Sequence, residues 1–308
     1  MLITRYSIEQ THSVIAPFVR RTPTLAVEAG LFADTPVLLK LELLQHTGSF
    51  KPRGAFANLL TRSVPEAGVA AASGGNHGAA VAFAAKALGH PAHIFVPEIA
   101  SPVKIARIRS YGADVVVKGA VYADALAECE AFIEGSGALS VHAYDSTETL
   151  TGQGSLGREI DADMPDLDTL LVAVGGGGLI GGISSWFAGR VRIIAVESEG
   201  TASLAKARTA KRPVDVEVSG IAADSLGARR IGDLAFAAAR EHVDRSLTVS
   251  DADIRTAQGL LWEHARLIAE PGGAAALAAL TSGAYIPESG EQVGVLVCGA
   301  NTDPATVA

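Results

Sequence analysis

Val172-Ala173-Val174-Gly175-Gly176-Gly177-Gly178-Leu179-Ile180-Gly181-Gly182 is an apolar run that breaks on four consecutive glycines and resumes with small residues. A strand that stops at a glycine loop and restarts as a helix is the repeating unit of α/β folds. Each glycine in a regular element costs about 0.5–1 kcal/mol relative to alanine, so four together point to close approach of the backbone to another group. Such a loop at a helix start cradles phosphate. Gly176, Gly178 and Gly181 also satisfy G-x-G-x-x-G, with Glu197 about twenty residues further on, the spacing of a dinucleotide site. On local grounds an NAD-dependent dehydrogenase therefore stands beside a single-phosphate enzyme.

Outward from this loop the pattern alternates. Upstream, strands are predicted at 69–72, 92–96, 114–117 and 139–142, with helices at 77–88, 102–111 and 122–133 between them. Gly89 and Gly112 sit where helices should close. Downstream, a helix is predicted at 151–160, strands at 170–174 and 192–196, and a helix at 179–187 between those strands. Helices near 231–240, 251–268 and 273–280 precede a last strand at 293–297. Ser250 followed by Asp251 and Asp253 supplies an N-cap with an acidic first turn. Two such series imply two α/β domains with parallel sheets and a cleft between them. The division expected is 1–67 plus 146–308 for the larger and 68–145 for the smaller.

Composition narrows the function. The chain has 308 residues, 48% hydrophobic and 19% charged, enough apolar content for a core. Its formal charge of -8 and the lack of a basic cluster disfavour nucleic acid. The two cysteines, Cys129 and Cys298, cannot form a framework of bridges, which suits a reducing cytoplasmic setting. Residues 1–21 contain no apolar signal segment. The uncharged run 169–189 holds seven glycines and reads as strand, loop and helix, so no membrane span is expected. There is no H-E-x-x-H, no zinc-spaced cysteine pair, no Gly-Lys of a Walker loop and no G-x-S-x-G elbow.

Three further motifs can carry chemistry. In Thr47-Gly48-Ser49-Phe50-Lys51-Pro52-Arg53-Gly54-Ala55, Pro52 suits the first turn of a helix. Lys51 then lies at a helix mouth, where the positive end of the macrodipole and burial both lower an amine pKa. A lysine so placed is suited to Schiff-base formation. Ser73-Gly74-Gly75-Asn76-His77-Gly78 follows a strand and opens a helix, a nest of N–H groups for an anion or simply a capped turn. Val297-Cys298-Gly299-Ala300-Asn301 follows the last strand, so Cys298 either meets a ligand at the sheet's carboxyl end or is a buried structural thiol.

Taken in order, the four motifs resemble the fold-type II pyridoxal 5′-phosphate (PLP) enzymes, and within them the serine/threonine dehydratase and serine racemase family. The resemblance runs from about Ile8 to Asp303 and includes 141–144, Gly152-Gln153-Gly154 and 267–274. It implies two open-twisted α/β domains of the tryptophan synthase β-like kind, with the cofactor in the cleft. It implies that Lys51 holds PLP and acts as the base at Cα, and that Phe50 lies against the cofactor. Asn76 would bond the 3′-oxygen, and Gly175, Gly176, Gly177 and Gly178 the phosphate. Cys298 would meet the pyridine nitrogen, where relatives usually carry Ser or Thr. Ser73, Asn76 and His77 would line the substrate site, with Ser73 and His77 holding the carboxylate. The activity implied is dehydration and deamination of a small β-hydroxy amino acid, L-threonine or L-serine, by a cytoplasmic homodimer. Racemisation and β-hydroxyaspartate dehydration are alternatives on the same scaffold. Gly74 stands where racemases carry a serine acid/base, which favours elimination. The family's metal site uses a Glu and an Asp six residues later; Glu197 fits, but Ser203 replaces the Asp, so no metal is expected. The sequence after Asn301 is too short for the regulatory domain of allosteric relatives, so feedback control through one is not expected.

Overall fold

The computed structural model describes residues 3–307. Ten strands run in chain order as β1 (Thr24–Val27), β2 (Val37–Lys40), β3 (Val69–Ala72), β4 (Ala92–Val96), β5 (Asp114–Val117), β6 (Leu139–Ser140), β7 (Thr169–Ala173), β8 (Arg192–Ser198), β9 (Arg245–Val249) and β10 (Val293–Leu296). They form two sheets, a six-stranded one in the order β1-β2-β10-β7-β8-β9 and a four-stranded one in the order β5-β4-β3-β6. Every pairing is parallel except β1 with β2. Parallel sheets need both faces covered, and the sequences comply: every residue of β3, β7 and β10 is buried.

The helices are α1 (Arg5–Ile15), α2 (Lys51–Thr61), α3 (Asn76–Leu88), α4 (Pro102–Ser110), α5 (Tyr122–Ser136), α6 (Thr147–Asp163), α7 (Gly178–Phe187), α8 (Ser203–Ala210), α9 (Ala223–Leu226), α10 (Asp233–His242), α11 (Asp251–Ala265) and α12 (Pro271–Thr281). The largest apolar cluster gathers around β7, β8, β10, α7 and α12. A second is built on β3, β4 and α3 and takes in Ile15, Ala55, Phe56 and Leu59 from α1 and α2. Thus α2 packs its apolar side with the four-stranded sheet's core.

The predicted α/β alternation is found, with shifts at the ends. The strand expected at 139–142 pairs only at Leu139–Ser140, although the Val141 N–H still reaches the Ala70 carbonyl at 3.1 Å. The helix expected to reach 268 stops at Ala265, because Arg266 turns left-handed at φ 53° and the Leu267 N–H returns to Leu261. Ser250 caps α11 as expected, accepting from the Asp253 N–H while Asp253 accepts from Ser250.

The topology positions the motifs. Strand β2 lies beside β10, so the segments leaving these two strands run together. Ser49 bridges Gly299, the Phe50 N–H donates to the Cys298 carbonyl at 3.2 Å, and the Ala300 N–H donates to Gly48 at 2.9 Å. Residues 250 positions apart in sequence are thereby zipped into one wall. Beneath it lies a buried charge network. Arg53 donates to Glu42 at 2.6 Å and Glu159 at 2.8 Å, and Lys40 reaches Asp163 at 2.8 Å. These bonds join β2, α2 and α6 behind the Lys51 loop.

Candidate active site

Lys51 is the first residue of α2, with Phe50 in the N-cap position and Pro52 next. Its Nζ donates to the Ala143 carbonyl at 2.8 Å and lies 5.1 Å from the Phe50 ring centre. Burial lowers its pKa to about 8, against the opposing pull of Cys298 and Glu270. About a tenth of this amine is therefore unprotonated at pH 7, far more than for an ordinary lysine, as a nucleophile or base requires.

The four glycines lie between β7 and the start of α7. A side chain at Gly176 would run into the Tyr144 ring, and one at Gly178 would meet the Tyr144 carbonyl at 2.8 Å. Gly177 has φ +91°, a conformation that L side chains rarely adopt, and a Cβ there would meet Ala235 at 2.7 Å. A Cβ at Gly175 would meet the Leu226 carbonyl at 2.9 Å, and the Gly175 carbonyl accepts from Ser203 Oγ at 2.8 Å. The loop thus brings bare backbone to the positive end of α7, which suits a phosphate group.

The Ser73–His77 turn opens α3 and meets the segment after β10 through Asn76 and Asn301. Gly75 caps α3, and its N–H donates to Ser73 Oγ at 3.3 Å. Asn76 Nδ2 donates to Glu270 Oε1 at 2.7 Å, and its Oδ1 accepts from Asn301. His77 is buried, with Nε2 at 2.8 Å from the Val141 carbonyl. Burial, and then the Lys51 charge, depress its pKa to about 3, so the ring is neutral and Nε2 carries the proton it donates. The ring is therefore engaged with the β6 end, leaving the α3 N-terminus to face the cleft. A cavity of about 650 Å³ opens there, lined by Gly74, Gly75, Asn76, Arg107, Asp224 and Asn301 among others.

Cys298 is buried, with Sγ 3.5 Å from the Gly272 carbonyl. Burial, reinforced by Glu270, pushes its thiol well above the ordinary range. It is a neutral, weak donor. Cys129 is also buried and lies in the small cluster against Phe95 and Ala138, away from these residues.

Sequence reasoning assigned no role to Glu270, Tyr144, Asn301 or Arg107, all of which bear on the site. Glu270 is 5% exposed, and burial raises its pKa to about 7 despite the Asn76 bond. An acidic residue directly before Pro271 at a helix start was the available signal. Glu197 answers the dinucleotide alternative. It is wholly buried and accepts from Leu204 N at 2.7 Å, Ala205 N at 2.8 Å and Ser246 Oγ at 2.8 Å. It caps α8 and has no face free for a ribose.

Comparison with known proteins places the chain in a family. A family described as pyridoxal-phosphate dependent enzyme matches residues 15–299. A phenylserine dehydratase of Ralstonia pickettii is 39% identical, over 94% of this chain and 91% of its own. An L-threonine ammonia-lyase of Thermotoga maritima is 35% identical, over 98% of this chain and 76% of its own. The structure of maize serine racemase superposes with a TM-score of 0.94 at 31% identity, covering 100% of this chain and 96% of that one.

Proposed function

The chain belongs to the pyridoxal-phosphate dependent enzymes of fold type II, and on that premise we propose that it eliminates water from L-threonine or L-serine. The products are the corresponding 2-keto acid and ammonia: water leaves on elimination, and water re-enters when the nitrogen is released. The relatives named as a threonine ammonia-lyase and a phenylserine dehydratase support this class. The observation that carries it is the lowered amine of Lys51 held on Ala143, next to the Tyr144 that packs against the bare glycine loop.

PLP supplies an electron sink for the charge that develops when the Cα proton leaves. The residues present fit it. Lys51 Nζ would hold the cofactor and, once released, take the Cα proton. Gly175 to Gly178 would offer N–H groups to the phosphate, and Asn76 would orient the ring, with Phe50 against it. A protonated Cys298 would offer the ring nitrogen a weak, neutral donor rather than a charge. Ser73 and the N–H groups opening α3 would hold the substrate carboxylate, while His77 steadies that turn through Val141.

Racemisation needs a second proton carrier on the opposite face, and Gly74 has no side chain. We further propose a larger domain of 1–67 plus 146–308 and a smaller one of 68–145. The four-stranded sheet, drawn wholly from residues 69–140, supports that division. A homodimer and a cytoplasmic location complete the proposal; no helix among the described residues is long and apolar enough to cross a membrane. A panel of β-hydroxy amino acids assayed for keto acid, with chiral separation of residual serine, tests the activity. Keto acid from threonine or serine without D-serine supports it; D-serine as the main product would replace it with racemisation.

A further inference from the structure

Arg107 of α4 crosses to the segments around Lys51. Its guanidinium donates to the Thr47 carbonyl at 2.9 Å and to the side-chain oxygen of Asn301. Asn301 Nδ2 donates in turn to the Thr47 carbonyl at 2.8 Å and to Asn76 Oδ1. Asn76 Nδ2 donates to Glu270 at 2.7 Å. The string begins at a cation, ends at a buried carboxylate, and every link donates in the same direction. Such chains polarise and strengthen their members. They also fix the amides: a flipped Asn76 would set its oxygen against Glu270 and its NH₂ against that of Asn301.

The acceptor at Thr47 adds a second, independent observation. Thr47 is β-branched yet held at φ 59°, where such residues are rarely found. Gly48 follows at φ +71°, so close to Asn301 and Arg107 that a side chain there would meet Asn301 Oδ1 at 2.7 Å. This turn leads directly into Ser49, Phe50 and Lys51. A conformation of this kind persists only when its surroundings hold it. The two donors on the Thr47 carbonyl are such a hold.

We propose that Arg107 is a positioning residue that sets both Asn76 and the turn carrying Lys51 from across the cleft. The proposal rests on the reading of this site as the PLP site. It acts through Asn301 and Thr47, without contact to the reacting atoms. The test uses the full chain, comparing wild type with Arg107→Ala, Arg107→Lys and, as a control on the same helix, Arg109→Ala. Three quantities are read: PLP affinity of the apoprotein by fluorescence, visible circular dichroism of the bound cofactor, and the split between kcat and KM. Arg107→Ala should weaken PLP binding, change the visible dichroism and lower kcat about tenfold, below the ~100-fold of a full ångström's misplacement. Arg107→Lys, which keeps the charge but not the two-acceptor fork, should fall between. Arg109→Ala should match wild type. Wild-type affinity and dichroism in Arg107→Ala would overturn the proposal. Should that variant not fold, intermediate values for Arg107→Lys support it and wild-type values overturn it. A wild type that binds no PLP would overturn the site reading itself, a result separate from normal binding with an unresponsive Arg107.

Discussion

Lys51 owes its reactivity to where α2 begins. With Phe50 as cap and Pro52 following, its amine is held against Ala143 rather than in solvent, and desolvation penalises the ammonium form. Its pKa falls from 10.5 to about 8, so the neutral fraction of the apoprotein's amine grows as pH rises through about 8. Cofactor uptake should therefore accelerate from about pH 7 and level off above about pH 9, as stopped-flow absorbance would show. A flat profile over that range would contradict the assignment. At Gly176 the geometry predicts a different failure. Gly176→Ala drives a methyl into the Tyr144 ring and should abolish PLP binding while leaving far-UV dichroism unchanged. Retained binding would mean that the loop does not need bare backbone. Lys51, Asn76 and the four glycines could be singled out in the sequence because each stands in a local motif. Glu270, Asn301 and Arg107 were not, since their partners are 194 to 225 positions away and no local pattern links them.

Elements show the same division. Strands β3 to β5 and β7 and the helices between them were readable from apolar runs punctuated by glycine, because local period and burial agree there. The first two strands and α1 were not assigned from sequence. Strand β2 is only Val37-Leu38-Leu39-Lys40, and its last residue is a lysine that is fully buried yet ion-paired. Nothing in four residues announces that Lys40 points inward to Asp163. Helices α2 and α6 meet through glycine: a Cβ on Gly152 would lie 2.8 Å from Ala57 Cβ and 2.5 Å from the Arg53 carbonyl. Gly152→Ala must therefore push α6 from α2, lowering the urea midpoint even though alanine is the better helix former. A higher midpoint would show that the contact has slack. At the start of α11, Ser250→Ala removes a reciprocal cap and should cost about 1 kcal/mol.

Across the whole molecule, the N-terminal segment is sewn into the C-terminal sheet, and the buried charges close the seam. Removing one partner of a buried pair leaves the other charge uncompensated, at a cost of about 3–5 kcal/mol. Arg53→Leu, which strands Glu42 and leaves Glu159 with Lys40 alone, should thus approach loss of folding. A further pH dependence belongs to Glu197, whose burial raises its pKa from 4.5 to about 7. The folded chain then holds a proton that the unfolded chain releases, so this stabilisation is complete below the ordinary carboxylate value and is lost as pH rises through about 7. Denaturant titrations of Glu197→Gln and wild type should diverge across that window, with the variant flatter; parallel profiles would refute the linkage. Every proposed role at the site depends on where the cofactor is attached. Borohydride reduction of the PLP-loaded protein followed by peptide mass mapping tests this directly. A phosphopyridoxyl group on the peptide containing Lys51, and on no other lysine, is the predicted result; a label elsewhere, or none, would contradict it.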